Sequence, residues 1–70
     1  MKYFERIKGL REDKDLTQTQ MGKILNASQK QISNWEMGRN EPPYETLIQY
    51  AKFFKVTTDY ILGISNNPQK

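Results

Sequence analysis

Apolar residues recur along this chain at helical spacing in five short stretches, each bounded by polar residues of the kind that start or stop a helix. Tyr3, Phe4, Ile7 and Leu10 form one stripe and predict a first helix from Lys2 to about Asp13, ended over Asp13–Asp15. Thr17 offers a capping hydroxyl, and Gln20 three residues later completes a capping box for a second helix whose inward residues are Met21 and Ile24 or Leu25. Gly22 in its middle costs about 1 kcal/mol against Ala, which is tolerable where another helix crosses closely. Asn26 then stands where the chain must reverse, a residue that accepts left-handed backbone. Ser28 and Gln31 repeat the capping box, and Ile32 with Trp35 supplies the inward pair of a third helix closed by Gly38. Pro42 and Pro43 set the first turn of a fourth helix, in which Tyr44, Leu47, Ile48, Ala51 and Phe54 make the strongest amphipathic stripe. Thr57 caps a fifth helix that runs through Leu62 and stops at Gly63, and Ser65–Lys70 is a polar tail expected to fray. No segment alternates as a strand does. The expectation is an all-α domain of five short helices over residues 1–64, with a flexible polar tail over 65–70.

Composition narrows what such a domain can do. Its 70 residues suffice for one small domain and contain neither Cys nor His, so no disulfide, thiolate zinc site or histidine catalysis is available. Asp13, Asp15 and Thr17 alternate like the start of a calcium loop, but Gln18 stands where that loop needs Gly, and no metal or cofactor is expected. No motif places a carboxylate pair in a pocket, which leaves general acid–base chemistry without residues, and an enzyme is not expected. The first ten residues lack the apolar run of a signal peptide or a membrane span, so the chain reads as cytoplasmic.

Charge is more informative in its placement than in its sum of +3. Carboxylates gather at Glu12, Asp13 and Asp15 and again at Glu41 and Glu45, whereas Leu16 to Trp35 holds Lys23 and Lys30 and no acid. A phosphate backbone could approach such a window. Advancing 100° per residue around the third helix puts Ile32, Trp35 and Glu36 on one side and Lys30 and Asn34 on the other, with Ser33 flanking them and Gln29 in the first turn. Gln and Asn present a donor and an acceptor together, which suits adenine, and Lys donates to guanine or to a phosphate. Trp35 lies beside Ile32 on the inner stripe and reads as core, not as a base-stacking platform.

With these residues in view, the chain resembles the helix-turn-helix family of lambda repressor, Cro and the XRE-type bacterial regulators. The resemblance rests on Leu16-Thr17-Gln18, Met21-Gly22, Leu25-Asn26-Ala27-Ser28, Ile32-Ser33-Asn34-Trp35-Glu36, Gly38-Arg39, Pro42, Glu45-Thr46-Leu47 and Asp59 to Gly63, and spans about residues 4–63. It implies a lambda-repressor-like fold, with the second and third helices as the helix-turn-helix, and a transcriptional regulator that binds double-stranded DNA. By position, it assigns base reading to Gln29, Lys30 and Asn34 with Ser28 beside them. Phosphate contacts fall to Thr17, Gln18, Gln31 and Arg39, with Gln18 also bracing the reading side chains, and Arg11 and Glu36 become the pair that ties helix one to helix three. Met37 stands where the family often has Asn, removing one phosphate contact, and Asn26 stands where Gly is usual.

Tyr60, Ile61, Leu62 and Ile64 give the C-terminal end more apolar surface than a core of this size obviously needs; a homodimer seam is the natural use, the alternative being that they cap the monomer core. Two-fold dimers of this motif read inverted half-sites about 34 Å apart, which makes a repressor on a palindromic operator the leading expectation. The alternative is an antitoxin-like module whose main work is binding a partner protein.

Overall fold

The computed structural model describes residues 2–68, and Met1, Gln69 and Lys70 lie outside the described residues. Within them the chain folds as α1 (Tyr3–Asp13), α2 (Gln18–Leu25), α3 (Gln29–Glu36), α4 (Tyr44–Phe54) and α5 (Thr58–Leu62), with no strand among the described residues.

The helix starts are chemical. Thr17 Oγ1 accepts from the Gln20 N–H at 3.0 Å while Gln20 Oε1 accepts from the Thr17 N–H at 2.8 Å, and Ser28 with Gln31 repeats the arrangement at 3.1 and 2.9 Å. Each box satisfies two N–H groups that a helix start would otherwise leave without partners. Thr57 caps α5 through its hydroxyl, and Gly63 ends that helix at φ 81°.

The turn between α2 and α3 is tight for two local reasons. Asn26 adopts left-handed backbone at φ 57° and ψ 46°, and the Ala27 N–H donates to the Gly22 carbonyl at 2.7 Å. A Cβ at position 22 would overlap the Ala27 carbonyl oxygen, so it is the turn itself that comes close to Gly22. With that residue the chain reverses in three positions.

Ile7, Met21, Leu25, Ile32, Trp35, Tyr50, Ala51 and Ile61 form the core, with Leu10, Leu16, Leu47, Phe54 and Val56 packed around it. Full burial of one such aliphatic side chain is worth about 1.5–3 kcal/mol, and α1, α2, α3 and α5 each contribute at least one, while α4 contributes Tyr50 and Ala51. Leu25, not Ile24, is the second inward residue of α2. In α4 the buried stripe is rotated from the expected one: Tyr50 is fully buried, whereas Tyr44 is 73% and Ile48 40% exposed. Leu47, Ala51 and Phe54 do face inward.

At the C-terminal end, Ile61 is fully buried and belongs to the monomer core, so it has no surface to offer a dimer seam. Tyr60 lies beneath Arg6, whose guanidinium carbon sits 3.9 Å from the ring centroid. Leu62 and Ile64 are 44% and 73% exposed. The part of the tail that is described folds back, the Thr57 N–H donating to the Pro68 carbonyl at 3.0 Å. The rest of the tail expected over 65–70, Gln69 and Lys70, lies outside the described residues.

Candidate nucleic-acid interface

Two capped helix starts, those of α2 and α3, are joined by one side-chain bond. Gln18 is the first residue of α2 and Gln29 the first of α3, and Gln29 Nε2 donates to Gln18 Oε1 at 2.5 Å. Gln18 Nε2 in turn donates to Glu36 Oε1 at 3.1 Å, and both carboxylate oxygens of Glu36 accept from Arg11, from Nε at 2.7 Å and Nη2 at 2.9 Å. Arg11 also donates from Nη1 to the Leu16 carbonyl at 2.7 Å. A connected series of bonds therefore runs from α1 through the last residue of α3 to the first residues of α2 and α3.

Its inner end is buried. The Glu36 side chain is 1% and that of Arg11 11% exposed, and the fork-to-fork geometry satisfies both charges where water cannot. The hydrogen bond to Glu36 holds the Arg11 guanidinium above the ordinary arginine range, against the opposing effect of its burial. Tyr50 lies close enough for its phenol to feel both charges, and burial is the main reason its pKa is raised. The Tyr50 hydroxyl has no hydrogen-bond partner and is fully enclosed.

The outer face of α3 is open. Gln29, Lys30 and Gln31 are exposed and Ser33 and Asn34 half-buried, while Ile32, Trp35 and Glu36 anchor the opposite stripe. Ser28 and Gln31 are placed differently from the other candidate readers: the Ser28 oxygen and the Gln31 carbonyl oxygen are engaged in the cap. This leaves the Ser28 hydroxyl proton and the Gln31 amide group free to donate. Thr17 is in the same position at the start of α2.

Arg39 is held by backbone. Gly38 at φ 75° lies against the Phe4 ring, where a Cβ would approach Phe4 Cδ2 to 2.9 Å, and the Arg39 N–H donates to the Asn34 carbonyl at 3.0 Å. The exposed Arg39 is thereby fixed at the end of α3, beside exposed Met37. Of the residues singled out in the sequence, the structure links Arg11, Glu36, Gln18 and Gln29 to one another. Lys30, Asn34 and Arg39 are joined to that group only through the α3 backbone and the loop after it. Tyr50, beside the ion pair, is not marked in the sequence, because an aromatic residue on a crowded stripe carries no signal of its polar neighbour.

A helix-turn-helix family model matches residues 7–61. The chain is 42% identical over 63 residues to the HTH-type transcriptional activator BcrR of Enterococcus faecalis, covering 90% of this chain and 31% of that protein. It is 34% identical over 58 residues to repressor protein C2 of Salmonella phage P22, covering 83% of this chain and 27% of that protein. The chain thus spans about a third or less of the length of these two curated relatives. The crystal structure of the P22 c2 repressor in complex with synthetic operator 9T superposes with a TM-score of 0.82 at 32% identity, covering 89% of this chain and 94% of that one.

Proposed function

The chain belongs to the helix-turn-helix family, and from that premise we propose that it is a sequence-specific regulator of transcription that binds double-stranded DNA with α3 in the major groove. The observation that carries this is the Gln18–Gln29 bond, which joins two helix N-termini beside an outer face of Lys30, Ser33 and Asn34 with no exposed carboxylate between Leu16 and Trp35. Helix N-termini attract phosphates through free N–H groups and the helix dipole; Thr17 and Gln18 at the start of α2, Gln31 in the first turn of α3 and Arg39 beyond its last turn are the phosphate donors. Gln29, Lys30 and Asn34 read base edges, with Ser28 beside them.

The regulator acts in the cytoplasm as a homodimer on an inverted repeat, through a seam of Leu62 and Ile64 with Tyr60 at its margin. Tyr44 and Leu62 line one shallow cleft with Tyr3, Glu41, Pro42 and Leu47, which extends that seam onto α4. Repression follows from occlusion, since a dimer lying along the groove over a promoter excludes other proteins from it.

Selection of bound duplexes from random DNA, followed by anisotropy titration, tests the reading. It is expected to yield a palindromic site, with a preference relaxed at single positions by Gln29→Ala and Asn34→Ala. Selection of no sequence at low salt refutes it.

A further inference from the structure

We propose that the cleft between α1 and α5 is a docking site for a partner protein, and that it takes an extended segment in which one carboxylate stands between two basic residues. The cleft measures about 180 Å³ and is lined by Glu5, Arg6, Gly9, Leu10, Asp13 and Tyr60. Arg6 is only 9% exposed, yet among the described residues no carboxylate pairs with it and its Nε has no hydrogen-bond partner. Its guanidinium carbon is held over the Tyr60 ring, 3.9 Å from the centroid, which offsets part of the cost of enclosing a charge and leaves the in-plane N–H groups without an acceptor. A carboxylate entering the cleft meets that fork with charge-assisted bonds. Gly9 gives the cleft its room. Glycine is poorly suited to a helix interior, and close neighbours explain it at Gly22 and Gly38, whereas a Cβ at Gly9 would meet nothing within 4 Å. Packing within the domain does not require glycine there, but a chain crossing α1 beside Arg6 does.

The lining selects the occupant. Small-molecule pockets enclose roughly 300–1,000 Å³, so a cleft of this size holds a side chain carried in by a larger body and not a free ligand. Glu5 and Asp13 repel a phosphate or a run of acids, and the carboxylate must therefore arrive with cations beside it. From Glu5 to Asp13 is about 12 Å along α1 at about 1.5 Å per residue. An extended chain covers that distance in about four residues and turns alternate side chains to one face, which makes the fitting pattern basic, any, acidic, any, basic. The cleft shares no residue with the one lined by Tyr44 and Leu62, nor with the outer face of α3. A partner seated on Arg6 thus leaves the dimer seam and the DNA-reading face uncovered, and its docking does not rest on either of them.

The test titrates the full chain with the capped peptide acetyl-Lys-Ala-Glu-Ala-Lys-amide, whose only carboxylate is the central one. Two controls are the same peptide with Gln for Glu, and acetyl-Glu-Ala-Lys-Ala-Lys-amide, which keeps the charge and changes the order. Proton–nitrogen correlation spectra at low salt follow the Gly9 amide and the Arg6 Nε–H. Both signals are expected to move saturably, with the Glu peptide bound about ten-fold more tightly than the Gln peptide and more tightly than the reordered one. Gly9→Leu fills the cleft without meeting a neighbour and improves helix propensity, so it should abolish the response while the melting temperature holds or rises. Arg6→Met should remove the preference for Glu over Gln, and Gly9→Leu decides the matter if that variant fails to fold. A preference below about five-fold, as an exposed ion pair would give, overturns the proposal. So does a reordered peptide that binds equally well, or binding that survives Gly9→Leu. Free glutamate that binds as tightly as the peptide makes the cleft a small-anion site, and movement of both signals on raising the protein concentration alone makes it a contact between copies. Either of these results also overturns the partner reading.

Discussion

Replacing Arg11 with Met removes a cation from a carboxylate that has almost no access to water, and the cost can be worked from the bonds lost. Glu36 keeps a single side-chain partner, Gln18 Nε2, and loses the two charge-assisted bonds from Arg11, while the Leu16 carbonyl loses its donor as well. Breaking a buried ion pair from one side costs about 3–5 kcal/mol, far more than the 0–1 typical of exposed pairs. A chain of this length has a total stability of roughly 4–10 kcal/mol, so the substitution takes a third or more of it. At about 4–8 °C per kcal/mol for a domain this size, the melting temperature should fall by roughly 12–40 °C. Urea unfolding followed by circular dichroism measures the free energy directly. The double variant Arg11→Met with Glu36→Leu is the informative partner, because it removes both charges and fills the space with apolar atoms. It should recover to within about 2 kcal/mol of the wild type, the remainder reflecting the unpaired Leu16 carbonyl and Gln18 amide. A cost below about 1 kcal/mol for Arg11→Met, or a double variant no better than the single one, would refute the view that the penalty arises from a stranded buried charge.

Other expectations follow from single contacts. Tyr50→Phe removes an enclosed hydroxyl that lacks a partner and should raise stability by about 1 kcal/mol, seen as a higher urea midpoint with an unchanged slope. Because burial raises the Tyr50 pKa in the folded state, its protonated form contributes stability fully below the ordinary phenol value of about 10, and that contribution falls as pH rises beyond it. Wild-type stability should therefore decline above pH ~10, and Tyr50→Phe should flatten that decline in alkaline melts. Gly22→Ala should destabilise by roughly 1–3 kcal/mol despite alanine's better helix propensity, since its methyl group meets a backbone carbonyl that cannot move without reopening the turn. Arg39→Ala should weaken binding to specific and random duplex alike and reduce the slope of log K against log salt by about one, measured by anisotropy.

Much of this architecture is legible in the sequence because its boundaries are set by side chains that act locally. Thr17 with Gln20 and Ser28 with Gln31 identify two helix starts without reference to the rest of the fold, and Asn26, Gly38 and Gly63 mark ends that need left-handed or otherwise unusual backbone. The inner stripe of α3 was equally readable, since Ile32, Trp35 and Glu36 share a face and nothing competes with them. The register of α4 was not, because Tyr44, Leu47, Ile48, Tyr50, Ala51, Phe53 and Phe54 offer two overlapping apolar faces. Only packing against the other helices decides that Tyr50 goes in and Ile48 stays out. The sequence does not separate Ile61 from Leu62 and Ile64 for the same reason, a buried and an exposed apolar residue being alike there. Arg6 illustrates the reverse case: a charge that periodicity treats as solvated is buried, its guanidinium lying on the Tyr60 ring. Within the site, the resemblance placed Gln18 beside the readers, but the direction of its amide depends on a partner 18 positions away and needed coordinates.

The capping boxes and the ion pair differ in one respect that bears on how the domain forms. Each box joins residues three apart, whereas Arg11 and Glu36 are separated by 25 positions. Short-range bonds close little chain and form on the time scale of a helical turn, while the ion pair must wait until the loops between α1 and α3 are already in place. Loss of a box should then slow folding, and loss of the ion pair should mainly hasten unfolding. On this view the caps govern how quickly the domain is made, and the ion pair how long it lasts.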